Sequence, residues 1–359
     1  MTRVPLSAAL LLLLAACGDR PDPRPAPKPA AAIAVRTPLT LSRAGIDNAV
    51  FAQAPPATSV PLEPSVDAAV PAVASTTEPD PAVLRAQVLL DRANFSPGVI
   101  DGLTGENVRQ AIAAYESAKG LPVDGLLDAQ VYASLVVGDV APALTDYVIT
   151  DRDVAGPFVP VMPADLEARS RLAKLAYSGP AELLSETFHT TPAVLEALNP
   201  GLDLTKAGTA IVVPAVGPAK LAAPVTRIVV DKAERAVKAF GADGQLLAFY
   251  PASIGSDDRP APDGSMTVRA VAPNPTYTFD PRRLTFGTSK TKVTIPAGPN
   301  SPVGLVWIDL SKDTFGIHGT DEPKDVGKKF SHGCIRLTNW DAQQLAAAVK
   351  AGVKVVFTG

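Results

Sequence analysis

The chain is poor in the residues that build metal centres and disulfide frameworks. Of its 359 residues, two are cysteine and three are histidine. That count excludes multi-cysteine zinc modules and a disulfide-stapled scaffold. An excess of one charge is missing too: 33 Lys and Arg against 36 Asp and Glu leave a net charge of −3. Proteins that grip nucleic acid usually show a basic footprint, so no nucleic-acid partner is expected. Long apolar runs are absent. The longest, residues 6–16, is about half of the ~20 residues that a spanning helix needs. Proline, by contrast, is abundant, with 36 residues against a typical share of about 5%. At that density much of it must lie in linkers and irregular loops. Apolar residues are 47% and charged residues 19%, which supports a packed core and excludes global disorder. At about 150 residues per domain, the length allows two domains or three.

The N-terminus reads as an address. One positive charge, a short apolar stretch and small residues ahead of a cut site describe a secretory signal over 1–17. Leu14-Ala15-Ala16-Cys17 resembles a bacterial lipobox. That resemblance implies that Cys17 is acylated and becomes the first mature residue, so that an N-terminal lipid attaches the exported chain to a membrane. Gly18 stands where such proteins carry Asp for inner-membrane retention, which points to the outer membrane in a Gram-negative host. An ordinary signal peptide ending in a chance cysteine is the alternative. Residues 18–79 are rich in Pro and Ala, with alternating prolines over 21–29. They are expected to form a semi-rigid polyproline leash, with a short helix over 39–54.

A small helical module is expected over 80–138. Pro81 can open a first helix that runs to Arg92. Thr104 can cap a second over 105–118, which Gly120 ends, and a third covers 127–136. Asp101-Gly102 and Asp124-Gly125 each mark a tight turn before a helix. The segment from Phe95 through Tyr115 to Gly125 resembles the peptidoglycan-binding domain 1 family, which implies a cell-wall polymer as partner; an unliganded three-helix bundle is the bland alternative. Over 145–216 a strand at Tyr147, two helices ending in Leu198-Asn199-Pro200 and a closing strand at 207–214 resemble a divergent LysM module. About twenty extra residues around 152–175 interrupt that pattern. His189 in this region reads as a surface or packed residue.

From Val225 the pattern changes to short strands: 225–231, 235–240, 245–251, 266–271, 304–310, 314–318 and 353–357. Gly241-Ala-Asp-Gly244 reads as a hairpin turn. One helix stands out, starting at Thr338 with Asp341 as capping-box partner and ending near Gly352. Strands with a single helix indicate a β sandwich or barrel. The fold class expected is therefore multidomain α+β: a mostly-β domain with one C-terminal helix, behind a three-helix module and a LysM-like one.

With Cys17 lipid-linked, Cys334 is the one remaining thiol, and an unpaired cysteine in an exported protein requires an explanation. His318 and His332 lie within sixteen residues of it. A buried inert cysteine, a Cys/His/His metal site, a redox thiol and a Cys–His nucleophile all use these residue types. The nucleophile has a specific physical basis. A thiol with pKa near 8.5 is only a few per cent thiolate at pH 7, and an adjacent imidazolium raises that fraction. Gly333 ahead of the cysteine allows close backbone approach, and nearby N–H groups can form an oxyanion hole.

His318-Gly319, followed after residues 320–330 by Ser331-His332-Gly333-Cys334-Ile335-Arg336-Leu337, is similar to the L,D-transpeptidase catalytic domain of the YkuD type, over about 225–358. The resemblance implies that Cys334 is the nucleophile and His318 the general base. Gly319 would orient the imidazole through its carbonyl, His332 would shape the oxyanion side beside Ser331 and Gly333, and Arg336 would fix substrate or form an ion pair. It implies no metal and no cofactor. Its substrates would be peptidoglycan stems, joined through a thioester into 3→3 cross-links, and carbapenems would acylate it. Hydrolysis with the same cysteine and a purely structural tether are the alternatives. Residues 272–297 read as a strand-poor insert, where Tyr277, Phe279 and Phe286 line a groove or pack the loop. Lys324, Lys328 and Lys329 attract carboxylates or form a solvated face.

Overall fold

The computed structural model describes residues 41–51, 78–255, 260–282, 289–329 and 333–359. The signal segment with Cys17, most of the leash, Phe286, Ser331 and His332 lie outside the described residues. In place of a helix over 39–54 there is a five-residue turn of helix, α1 (Arg43–Asp47), capped by Ser42.

The first module has three helices: α2 (Pro81–Arg92), α3 (Glu106–Lys119) and α4 (Ala129–Gly138). Asp80 caps α2 by accepting from the amides of Ala82 and Val83, and Pro81 needs no donor there. Gly105, not Thr104, occupies the N-cap of α3. Gly120 closes that helix in the left-handed region, φ +67°, which a side chain would resist. Asp128 caps α4, whose start falls two residues beyond the expected one.

The middle module follows as β1 (Leu144–Val148), α5 (Asp151–Val154), α6 (Leu166–Ser170), α7 (Pro180–Thr187), α8 (Pro192–Leu198) and β2 (Ala210–Pro214). β1 and β2 pair antiparallel, with Leu144 opposite Pro214 and Val148 opposite Ala210. Helices α5 and α6 belong to the stretch that interrupts the LysM-like order.

The C-terminal part begins with β3 (Arg227–Asp231), β4 (Ala236–Phe240), β5 (Leu246–Pro251), β6 (Ser253–Ile254) and the long β7 (Gly264–Pro273). A hairpin of β8 (Tyr277–Phe279) and β9 (Val293–Ile295) corrects the expectation of a strand-poor insert. Then come β10 (Val306–Leu310), β11 (Gly316–His318), a 3₁₀ turn at Pro323–Asp325, β12 (Ile335–Arg336), α9 (Asn339–Ala348) and β13 (Lys354–Thr358). Nine strands form one sheet in the order β5-β4-β3-β13-β7-β10-β11-β12-β6. Its two edge strands are separated by Ala252 alone, so the sheet has to curl back on itself. The result is a mostly-β near-barrel with α9 against it. Its core includes Ile228, Tyr250, Ile308, Ile317, Ile335 and Val355.

Thr338 caps α9 by accepting from the Asp341 amide. The Asp341 carboxylate accepts from Ser96 of the first module instead of closing a box through a backbone bond, and the helix ends at Ala348, short of Gly352. That contact is one of several that join the modules. Phe249 of β5 is fully buried among Leu90, Ala111, Ile112 and Tyr115 of the helices, and Ser96 N donates to its carbonyl. The stretch after α6 docks on the insert: Leu175 N donates to Ala297 O and Asn300 N donates to Leu175 O. A Cβ on Gly298 would lie 2.0 Å from Leu175 O, so only glycine admits this approach. Among the described residues, the three modules belong to one compact unit.

Candidate active site

β11 and β12 run parallel, with Ile317 opposite Ile335 and His318 opposite Arg336. Side chains two apart on a strand share a face. Cys334 immediately precedes β12, next to Ile335, whose partner on β11 is the neighbour of His318. The sheet thus converts sixteen residues of separation into neighbouring rows.

His318 is buried, 4% exposed. Its Nδ1 lies 2.6 Å from the Gly319 carbonyl. A carbonyl only accepts, so Nδ1 carries the proton and Nε2 keeps the lone pair. The Trp307 ring, on β10 opposite His318, stacks on the imidazole at 5.3 Å and 16°. Burial pushes the imidazole down to about 3, and the Arg336 guanidinium acts in the same direction against the Gly319 bond. The ring is therefore neutral at neutral pH. An imidazolium partner for the thiol was expected, and the buried imidazole is instead held in its neutral form.

Cys334 is half-buried and forms no disulfide among the described residues. Its Sγ donates to the Thr314 carbonyl at 3.5 Å. Gly333 before it has φ +104°, a backbone position that favours glycine. Arg336 Nε is buried without a hydrogen-bond partner, and no carboxylate pairs with Arg336 among the described residues. Phe279 packs, 1% exposed, while Tyr277 is half-buried on β8. Lys324 pairs with Glu322 and Lys329 with Asp325, and Lys328 is exposed.

Two residues that were not singled out hold the site from behind. Asn339, the first residue of α9, accepts from Leu305 N at 3.1 Å through Oδ1. The same oxygen lies 2.2 Å from where a Cβ on Gly319 would be, and 2.1 Å from one on Gly304. Its Nδ2 donates to Glu186 of α7 at 2.9 Å and to Pro299 O at 3.2 Å. Burial pushes Glu186 up to about 8 against that bond, so it is largely protonated at neutral pH. The signal in sequence was slight: an acid inside the apolar stretch 183–188, and an asparagine directly after a helix cap.

Residues 225–357 match the L,D-transpeptidase catalytic domain of the YkuD family, and residues 79–135 match a peptidoglycan binding domain. A relative from Bacillus licheniformis, named as the L,D-transpeptidase YkuD, is 31% identical over 182 residues, which are 49% of this chain and 92% of the relative. The L,D-transpeptidase ErfK/SrfK of Escherichia coli is 33% identical over 171 residues, 45% of this chain and 53% of that protein. The chain thus spans about half the length of this second relative. A solved structure, L,D-transpeptidase 3 of Mycobacterium tuberculosis with a faropenem-derived adduct, aligns with a TM-score of 0.32 at 17% identity, over 43% of this chain and 75% of that one. On its sequence relatives and its matched domains, the chain belongs to the L,D-transpeptidase family of acyltransferases and carries a peptidoglycan binding domain ahead of its catalytic domain.

Proposed function

We propose that this protein joins peptidoglycan stems by 3→3 cross-links through a Cys334 thioester. The observation that carries the proposal is the His318–Gly319 bond, which leaves Nε2 unprotonated, with Cys334 at the head of the strand that pairs with that of His318. Cys334 turns from Thr314, and its proton passes to Nε2 as Sγ attacks the carbonyl carbon of the third residue of a tetrapeptide stem. The S–C bond forms, the C–N bond to the terminal D-Ala breaks, and His318 gives the proton to the leaving amine. The side-chain amine of a diamino acid in a neighbouring stem then attacks the thioester. The new N–C bond forms, the S–C bond breaks, and the amine proton returns through His318 to Sγ. Backbone N–H groups near Cys334, with Ser331 and His332 beside it, serve the oxyanion, an effect worth about 3 kcal/mol per donor. Arg336, which pairs with no carboxylate among the described residues, takes an acidic or carbonyl group of the donor stem, with Tyr277 on the neighbouring hairpin.

The chain is exported and attached to a membrane through acylated Cys17, probing the wall from a leash. Its peptidoglycan binding domain keeps the polymer near the site and raises effective concentration. A β-lactam carbonyl offers Cys334 the same attack, so carbapenems should acylate it. The test is incubation of the full chain with disaccharide-tetrapeptide beside a Cys334→Ala variant, read by mass spectrometry. Cysteine-dependent dimer with loss of D-Ala is expected. Tripeptide alone would make the enzyme a hydrolase, and identical products from both proteins would refute the proposal.

A further inference from the structure

The middle module reaches the catalytic histidine through a short chain of contacts. Glu186 Oε2 accepts from Asn339 Nδ2 at 2.9 Å. The Leu305 amide and the Pro299 carbonyl fix which end of the Asn339 amide is oxygen, and the nitrogen end is the one that meets Glu186. The oxygen in turn meets Leu305 N and lies against Gly304 and Gly319. Gly319 holds His318 Nδ1 through its carbonyl. Reversing the Asn339 amide would bring an NH₂ group against Leu305 N, donor to donor, and an amide oxygen against the Pro299 carbonyl. Glu186, Asn339, Gly319 and His318 are buried, and the Leu305 amide is part-buried.

The acid comes from a different module, 153 residues earlier in the chain. Its other oxygen, Oε1, meets no protein donor among the described residues. Glu186 also lines a cavity of about 370 Å³ with Asp91, Ser96, His189, Trp340 and Asp341, at the junction of all three modules. A buried carboxyl with one oxygen unmatched is costly. A packing role alone would be served better by an apolar side chain. Its position makes sense if its bond to Asn339 is what matters.

We propose that Glu186 is a positioning residue for His318, acting through Asn339 and Gly319, so that the docked middle module is a working part of the catalytic centre. The proposal rests on the assignment of His318 as the base that serves Cys334. A displaced Gly319 carbonyl would turn the imidazole or release its tautomer, and a misplacement of about 1 Å can cost 10²-fold.

The test is the rate of Cys334 alkylation by iodoacetamide across pH 5–9 in the full chain, beside cross-linking kinetics and thermal midpoints. Glu186→Ala is expected to lower alkylation at pH 7 about tenfold, to change the shape of its pH profile, and to lower kcat with KM for the donor stem unchanged. Glu186→Gln keeps an oxygen for Asn339 Nδ2 and is expected to recover the rate to within about threefold. Ile149→Ala, at a buried position in the middle module away from the chain of contacts, controls for loss of stability. It should lower the midpoint and leave the pH profile in place. A Glu186→Ala profile that matches wild type would overturn the proposal, as would an equal loss in Ile149→Ala at the same midpoint. His318→Ala separates the two levels: if it too matches wild type, the assignment of the base has failed, whereas a changed His318→Ala profile with an unchanged Glu186→Ala profile sinks only the role of Glu186.

Discussion

Gly319→Ala is a single-methyl perturbation aimed at the backbone that holds the base. The new Cβ would sit 2.2 Å from Asn339 Oδ1 and 3.3 Å from Gly304 Cα. Ordinary contact needs roughly 1 Å more than the first of these distances. Asn339 does not yield easily, since Leu305 N, Glu186 and Pro299 O hold its amide at 3.1, 2.9 and 3.2 Å. The strain therefore falls on Gly319 as well, whose carbonyl is the partner of His318 Nδ1. Overpacking of this kind costs about 1–3 kcal/mol of stability. A base moved by about 1 Å costs up to ~10²-fold in rate. The assay is single-turnover acylation by a carbapenem, followed by intact mass, with a thermal melt on the same sample. The expected result is a rate loss of roughly 30- to 100-fold, with a folded protein. A variant that acylates within about threefold of wild type while its melt is lowered would refute the reasoning, because the methyl would then have been absorbed without moving the base.

The other predictions are independent of that one. Phe249→Ala removes a fully buried ring that the strand shares with the first three helices; it should cost about 3–5 kcal/mol in urea unfolding, and separate transitions in the wild type would contradict the shared core. Arg336→Ala should raise KM for the donor stem about tenfold at little cost in stability, since no ion pair is lost, and an unchanged KM would remove Arg336 from the substrate. Glu186 is held above its ordinary value by burial, aided by Glu182 and Asp321, so its stabilising contribution is full below about pH 4.5 and fades as pH rises to about 8. Glu186→Gln should flatten the fall in urea midpoint between pH 5 and 8, against the opposite trend from His318, whose lowered value makes it a loss on acidification below about 6.5; parallel wild-type and variant curves would contradict this.

What was legible in the sequence was local. Pro81 announces a helix start because its missing N–H is harmless in the first turn, and Thr338 because an N-cap needs only a side-chain oxygen within three residues. Gly102, Gly125 and Gly244 announce turns because their φ lies between +71° and +81°. Cys334 and His318 stood out because reactive side chains are scarce in this chain. What was not legible was set by contacts far apart in sequence. Gly105 displaced Thr104 as the cap of α3, and the start of a helix is a choice between adjacent candidates. The β8–β9 hairpin lay in a stretch rich in proline and basic residues, and its strands are three residues each. The stretch around 152–175 read as an interruption of a module, and it docks on that hairpin: Ser289 Oγ donates to Glu167, and Arg169 pairs with Asp321, close behind His318. Glu186 and Asn339 meet across 153 residues, and neither residue type marks such a pairing in advance.

The central claim is a thioester on Cys334. The direct measurement is to quench the full chain in acid during turnover of a tetrapeptide donor with no acceptor present, and to map the adduct by peptide mass spectrometry. The account predicts a tripeptide-stem adduct on the peptide that carries Cys334, lost on treatment with hydroxylamine or with an acceptor amine, and absent in His318→Ala at the same time point. Turnover of the donor with Cys334 unmodified at every time, or an adduct on another residue, would contradict it.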